Sequence, residues 1–403
     1  MRYATVNLAL ASTMHFLVDG VCASCLFLLA GILTDAPAGV AILTYNVVAF
    51  MTQPITGWLT DCQGARRDRI LRAAVAFLAA AVVMAAMTTV ALGNASPLAA
   101  AWPLADSSSP LADPSSPLTD ASPLASALSA VSFVAVAVVI GAGNSLFHVW
   151  GGKQTAVETD NDMRPLGIFV ATGGMGLVIG ILFHSWPLLA TLLALLLATA
   201  AFQLRRNAAT AAVSPVASTS PAVSVAVSPS PVASTSPAVS PSPASPSSSA
   251  VSPSPASHTS SPEAAVSGVA LISALPLLGL AAIMAVVLLR SYFGETFTHG
   301  FDKDAALTLA IAATATLGKA GGGWLARWLG LVPMALLLAV GIAASAMLRQ
   351  GSVPAMLAGI FLINTTMPIT LWMANRLLPG REGLAFGLLA AVLVPGYLLA
   401  VSL

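Results

Sequence analysis

Gly57-Trp58-Leu59-Thr60-Asp61-Cys62-Gln63-Gly64 ends one long apolar run, 38–58, and leads into another, 70–92. The same spacing returns as Gly323-Trp324-Leu325-Ala326-Arg327-Trp328-Leu329-Gly330. Gly, Trp, Leu and the closing Gly coincide, while the central acid Asp61 becomes the base Arg327. One short pattern at two distant places in the chain predicts two related halves. A parallel repeat requires both copies to lie on the same side of a bilayer.

The rest of the chain supplies the bilayer. Of 403 residues, 57% are hydrophobic and only 8% are charged, against roughly 25% charged in soluble domains. The mean hydropathy is +0.89. A net charge of +1 with five His excludes the clustered basic surface of a nucleic-acid-binding protein. Three Cys, with Cys22 and Cys25 inside an apolar run, make neither a disulfide framework nor a zinc site of known spacing. Stretches of about 20 apolar residues span a bilayer as helices. Eleven such stretches are expected, at 5–33, 38–58, 70–92, 126–149, 165–184, 186–204, 267–290, 304–325, 331–348, 352–374 and 383–402. They lack the period-2 alternation of a membrane barrel. The first is too long for a cleaved signal, and His15 and Asp19 interrupt its centre.

Basic residues in alternate loops set the orientation. One side collects Arg2, Arg66, Arg67, Arg69, Arg72, Lys153, Arg164, Arg205, Arg206, Arg327, Arg376 and Arg381; the other holds Arg290, Lys303 and Arg349. The N-terminus is therefore expected in the cytoplasm of an inner or plasma membrane, with the C-terminus outside. Residues 94–125 repeat Ser-Pro-Leu-Ala, and 208–265 are a Ser, Pro and Ala-rich linker. Frequent Pro and small side chains predict disorder in both, the first outside and the second cytoplasmic. The linker divides a six-helix half, 1–207, from a five-helix half, 266–403. Asn94-Ala95-Ser96 matches a glycosylation acceptor.

Gly57-x-Leu59-x-Asp61-x-x-Gly64-x-Arg66-Arg67, between the second and third spans, resembles the signature loop of the major facilitator superfamily. Cys62 and Ala65 stand where that loop usually carries basic residues. His15-Phe16-Leu17-Val18-Asp19 and Gly143-Asn144-Ser145-Leu146-Phe147-His148 resemble the corresponding spans of fosmidomycin-resistance-type efflux members. The resemblance implies an all-α, two-half helical bundle, with the first and fourth helices on a central pathway. It also implies that the third, sixth and ninth helices stand outside that pathway. Members usually have twelve spans, and the twelfth is expected to be absent here.

His15 and Asp19 are four apart and share one helix face near the middle of the bilayer. A charge there costs about 2.5–3.5 kcal/mol on insertion scales, so Asp19 is expected to face the bundle interior with a partner. The functional reading is a protonation site coupling ion movement to solute; the structural reading is a pair that locks helix packing. Asn144 and His148 repeat the spacing, either converging on the pathway or sitting at the interface. Two His and one Asp admit a metal, but no ligand spacing fixes one, and neither metal nor cofactor is expected. The resemblance implies a cytoplasmic gate of Gly57, Asp61, Gly64, Arg66 and Arg67, in which Asp61 pairs with Arg and with a helix N-terminus. Arg327 cannot replace that acid in the second copy. Lys319 either points into the cavity toward an anionic solute group or snorkels to the interface. Gln53 holds the matching place in the first copy. Asn46, Asn364 and Asn375 either bind solute or join helices. Arg290 and Glu295 are expected at the outer end of the seventh span, as a gate pair or as anchors. Gly173, Gly174, Gly176 and Gly180 form a stripe for close packing on the fifth helix.

No nucleophile elbow, nucleotide loop or catalytic carboxylate pair occurs, so no enzyme is expected. The expected activity is secondary transport of a small solute by alternating access, as proton-coupled efflux by a monomer. The alternatives are a proton-coupled uptake symporter and a non-transporting membrane sensor or scaffold.

Overall fold

The computed structural model describes residues 2–32, 35–63, 68–91, 123–213, 262–349 and 351–402. All regular structure among them is helical. Helix α1 covers Arg2–Ala30, α2 Asp35–Asn46, α3 Gln53–Cys62, α4 Asp68–Ala91, α5 Pro123–Glu158, α6 Met163–Leu182 and α7 Trp186–Val213. Then follow α8 (Pro262–Thr296), α9 (Ala305–Leu329), α10 (Leu331–Leu348), α11 (Val353–Leu377), α12 (Glu382–Ala391) and α13 (Leu393–Ser402). Among the described residues ten spans, with α2–α3 and α12–α13 each joined, are long and apolar enough to cross a membrane. The span expected at 304–325 is α9, which carries Lys319 in its body and packs against α6 and α11. The chain is a multi-pass membrane protein.

Two spans that read as single helices are interrupted. The second passes from α2 through a π-helical turn, Val47–Met51, before α3 resumes. The cause is Pro54, which has no N–H to give and whose ring crowds the carbonyl four residues back. The last span breaks at Val392 between α12 and α13, and Pro395 stands at the same offset from Ala391.

One hydrophobic core runs through α1, α2, α4, α5 and α7 around Met14, Val18, Leu78, Phe133, Phe147 and Leu189. A second joins α6, α8, α11 and α12 through Leu166, Phe169, Val287, Leu371 and Phe386. The outer faces stay apolar: Met87 of α4 is 68% exposed and Met347 of α10 83%. Such side chains are stable facing lipid, where water would disfavour them.

The expected loops lie mostly outside the described residues, including Asn94-Ala95-Ser96 and most of 94–125 and 208–265. Their edges differ from expectation. Helix α7 continues through 208–213 and α8 begins at Pro262. Ala208, Ala209, Ala211 and Ala212 favour helix, and no Pro intervenes before Pro215.

Candidate functional site

Helices α1 and α6 cross closely because the small-residue stripe permits it. A Cβ on Gly180 would stand 2.6 Å from the Gly20 carbonyl, and one on Gly176 would overlap the carbonyl of Phe16. The crossing brings His15 beside Phe169, with ring centroids 4.6 Å apart and nearly stacked. His15 Nδ1 lies 2.7 Å from the Phe169 carbonyl oxygen. On α5, His148 Nδ1 lies 3.0 Å from the Asn144 carbonyl oxygen. A carbonyl only accepts, so both Nδ1 atoms carry hydrogen and donate. Each neutral ring then presents a bare Nε2 lone pair.

Those two Nε2 atoms are 2.8 Å apart. Asp19 completes the cluster, its carboxylate 3.5 Å from His15 Nε2 and 3.4 Å from His148 Nε2. Two lone pairs at that separation repel unless a cation lies between them. One shared proton satisfies both rings, and Asp19 balances its charge. The three ligand atoms also lie within 4.8 Å of one another, a donor set that a divalent metal ion could use. Gly173 makes room for the group, since a Cβ there would overlap both His15 Nε2 and Asp19 Oδ2.

The cluster borders a cavity of about 190 Å³. Besides His15, Asp19 and His148, its polar lining is Gln53, Arg290, Lys319 and Thr370. Lining residues come from α1, the π turn, α3, α5, α6, α8, α9, α11, α12 and α13, and none comes from α4, α7 or α10. The third, sixth and ninth spans thus contribute no described residue to the cavity wall, in keeping with the place outside the pathway that the resemblance implied. The residues beside the two interruptions, Phe50, Gln53 and Leu393, line its wall. The Gln53 amide donates to the Ala49 carbonyl at 2.8 Å, and its buried Oε1 has no partner.

A second polar group ties α3 and α5 to α12. Asp61, with its side chain 1% exposed, accepts from the Gly383 N–H at 2.9 Å and the Leu384 N–H at 2.8 Å. It therefore caps α12, whose own N-cap residue Arg381 supplies no side-chain bond. Lys153 reaches Asp61 at 2.9 Å and donates to the Thr60 carbonyl. The helices meet across glycine: a Cβ on Gly383 would stand 2.7 Å from the Gly57 carbonyl. The partner of Asp61 among the described residues is Lys153; Gly64 and the expected Arg66 and Arg67 lie outside those residues.

The second copy of the motif is built differently. Asp162 caps α6 by accepting from the Arg164 N–H, and Arg164 lies over the Trp324 ring at 5.0 Å. The hydrogen bond from the Arg164 side chain holds the Asp162 carboxyl below the usual carboxylate range, with a smaller contribution from Arg327. Here the partner helix brings its own acid, so a base suits the centre of the repeat.

The expected Asn residues fall away from the cavity. Asn144 is buried and donates to Tyr45 and to Cys22 Sγ, positioning His148 through its carbonyl. Asn46 and Asn364 donate to their own helices, at Ile42 and Ile360. Asn375 donates to Asn161, joining the α5–α6 turn to α11. Arg290 is buried in the cavity wall, and Glu295 faces Lys303 at 3.5 Å instead of Arg290. Sequence reading missed Lys153 as the partner of Asp61, because it counted only as one more cytoplasmic base. It also missed the Phe169 carbonyl, which no side-chain pattern could signal.

No family profile and no curated protein matches the chain. Solved structures do. The E. coli fucose:proton symporter is similar with a TM-score of 0.53 at 12% identity, over 99% of this chain and 91% of that one. A bacterial homologue of the iron transporter ferroportin, in an outward-facing state, gives 0.55 at 12% identity, over 98% and 91%. The chain has the major-facilitator fold.

Proposed function

We propose that the protein is a secondary active transporter that moves a small solute by alternating access, coupled to protons through His15, Asp19 and His148. The observation that carries this reading is the pair of Nε2 lone pairs held 2.8 Å apart beside a carboxylate in the wall of a central cavity. Both Nδ1 atoms are committed to backbone carbonyls, so neither ring relieves the repulsion by changing tautomer. A proton between the rings draws α1 and α5 together, and its departure drives them apart. Proton occupancy thereby biases one arrangement of the bundle over another.

The same donor set would accept a metal ion, but the charge of the cavity favours the proton. Lys319 from α9 and Arg290 from α8 face it, and a dication would add to their repulsion. Asp61 and Lys153 form the latch that closes the opposite end of the pathway. Export is the direction that the sequence resemblance favours. The fold neighbour named a proton symporter shows that the same architecture serves solute and proton moving together. The sign of solute accumulation in vesicles separates the two.

The test is flux in proteoliposomes under an imposed pH gradient, across a panel of small solutes. Asp19→Asn is expected to abolish proton-driven accumulation, while exchange without a gradient persists. Unchanged proton-driven flux in Asp19→Asn would sink the coupling assignment.

A further inference from the structure

Two cations in the cavity wall have no acid of their own. Arg290 is 7% exposed, lines the cavity, and its Nη1 atom has no hydrogen-bond partner. Lys319 lines the same cavity from α9, its Nζ 3.4 Å from where a Cβ on Gly174 would stand. Among the described residues neither makes an ion pair. Among the described residues Asp19 is the one acid in the lining, and both imidazoles of the cluster already surround it. A cluster holding one proton is neutral overall, so the cavity keeps an excess of two positive charges.

Buried charge without a partner is costly, and proteins tolerate it where a ligand supplies the partner. A guanidinium and an ammonium lining one cavity suit an anionic headgroup, which Arg binds as a planar fork and Lys as a point charge. The rest of the wall is apolar, with Phe50, Val170, Leu177, Met367, Leu371 and Phe386. An inorganic ion would leave that surface uncovered, and a neutral solute would leave the cations unpaired.

We infer that the transported solute is a small organic anion with an apolar body, its headgroup held between Arg290 and Lys319. The inference rests on the transporter reading above and names the solute class for that cavity. A carboxylate is the simplest headgroup that meets both cations. The apolar body lies against Phe50 and Phe386, which line the wall from the second and last spans.

The experiment measures thermal unfolding of the purified full-length chain in detergent against matched probes. Benzoate and hexanoate carry the charge; benzamide and hexanamide keep the body and remove it; inorganic phosphate keeps charge and removes the body. The carboxylates are expected to raise Tm in a saturable way, and the amides and phosphate to leave it unchanged. Arg290→Met and Lys319→Met are expected to raise the half-saturating carboxylate concentration by about tenfold or more. Arg290→Lys should retain part of the response. Each Met variant removes an uncompensated charge, so its unliganded Tm should hold or rise, separating loss of binding from loss of fold. Equal shifts from amide and acid, a full shift from phosphate, or unaltered carboxylate response in both Met variants would each overturn the inference. So would the absence of any carboxylate response. Proton-driven flux of uncharged solutes without carboxylate binding fails this inference and leaves the transporter reading. Carboxylate binding without any flux does the reverse.

Discussion

Asp61→Asn isolates the latch, because the amide keeps the shape of the carboxylate while removing its charge and one acceptor. In the structure the carboxylate accepts two backbone N–H groups at the start of α12 and meets Lys153 at 2.9 Å. The amide satisfies one of those N–H groups and turns a donor toward the other. One charge-assisted hydrogen bond is worth about 1.5–3 kcal/mol. The Lys153 pair adds less, about 1 kcal/mol, because the lysine side chain is 18% exposed and partly screened. The closed arrangement therefore loses about 3 kcal/mol relative to one in which α3 and α12 have separated. That shift is roughly a hundredfold in the equilibrium between the two. Cys62 at the end of α3 is exposed, whereas Cys22 and Cys25 are buried, so a spin label on Cys62 is selective. A second label at Arg381→Cys, beside the start of α12, gives a distance across the latch. Wild type is expected to show one short, narrow distance distribution, and Asp61→Asn to add a longer population of comparable size. Lys153→Met should shift less, since both backbone bonds remain. Superimposable distributions for wild type and Asp61→Asn, at equal Tm, would refute the reasoning.

Two further outcomes follow from the same geometry. Gly173→Ala places a methyl group against His15 Nε2 and Asp19 Oδ2; it should cost about 1–3 kcal/mol of stability by overpacking and suppress proton-driven flux. Gly174→Ala, with Lys319 Nζ at 3.4 Å as its nearest neighbour, is the milder control, and equal loss of flux in both would contradict the cluster assignment. Asp162→Ala removes the cap of α6 and should lower stability by about 1 kcal/mol at neutral pH. The folded-state Asp162 carboxyl titrates below its usual value, so the stabilising contribution of its charge is complete above the ordinary carboxylate range. It is lost as pH falls through the depressed value. The Tm difference between wild type and Asp162→Ala should therefore narrow in acid, and a constant difference would argue against the charge.

Composition and apolar run length determined that the chain crosses a bilayer many times, since lipid leaves helices as the way to satisfy the backbone inside each apolar run. The repeated Gly-Trp-Leu pattern marked the last turns of α3 and α9, which run on to Cys62 and Leu329, past the expected ends at 58 and 325. Scarcity of intramembrane charge singled out His15 and Asp19, and the i, i+4 spacing placed each pair on one helix face. These properties are local, and local properties survive in a linear pattern. What the tertiary structure decided is which faces meet. His15 Nδ1 is fixed by a backbone carbonyl on α6, and its Nε2 meets His148 from α5. Asp61 meets Lys153 because α5 crosses α3 there, and Lys153 reads in sequence as one more loop base. Arg290 reads as an outer gate residue or anchor, yet it lines the cavity. Asn144 reads as a pathway residue, and the fold makes it a bridge to Tyr45 and Cys22. Helical period fixes the direction of a side chain relative to its own axis, whereas its partner depends on how helices cross. Here the crossings are set by glycine contacts between distant segments, at Gly57 with Gly383 and at Gly180 with Gly20.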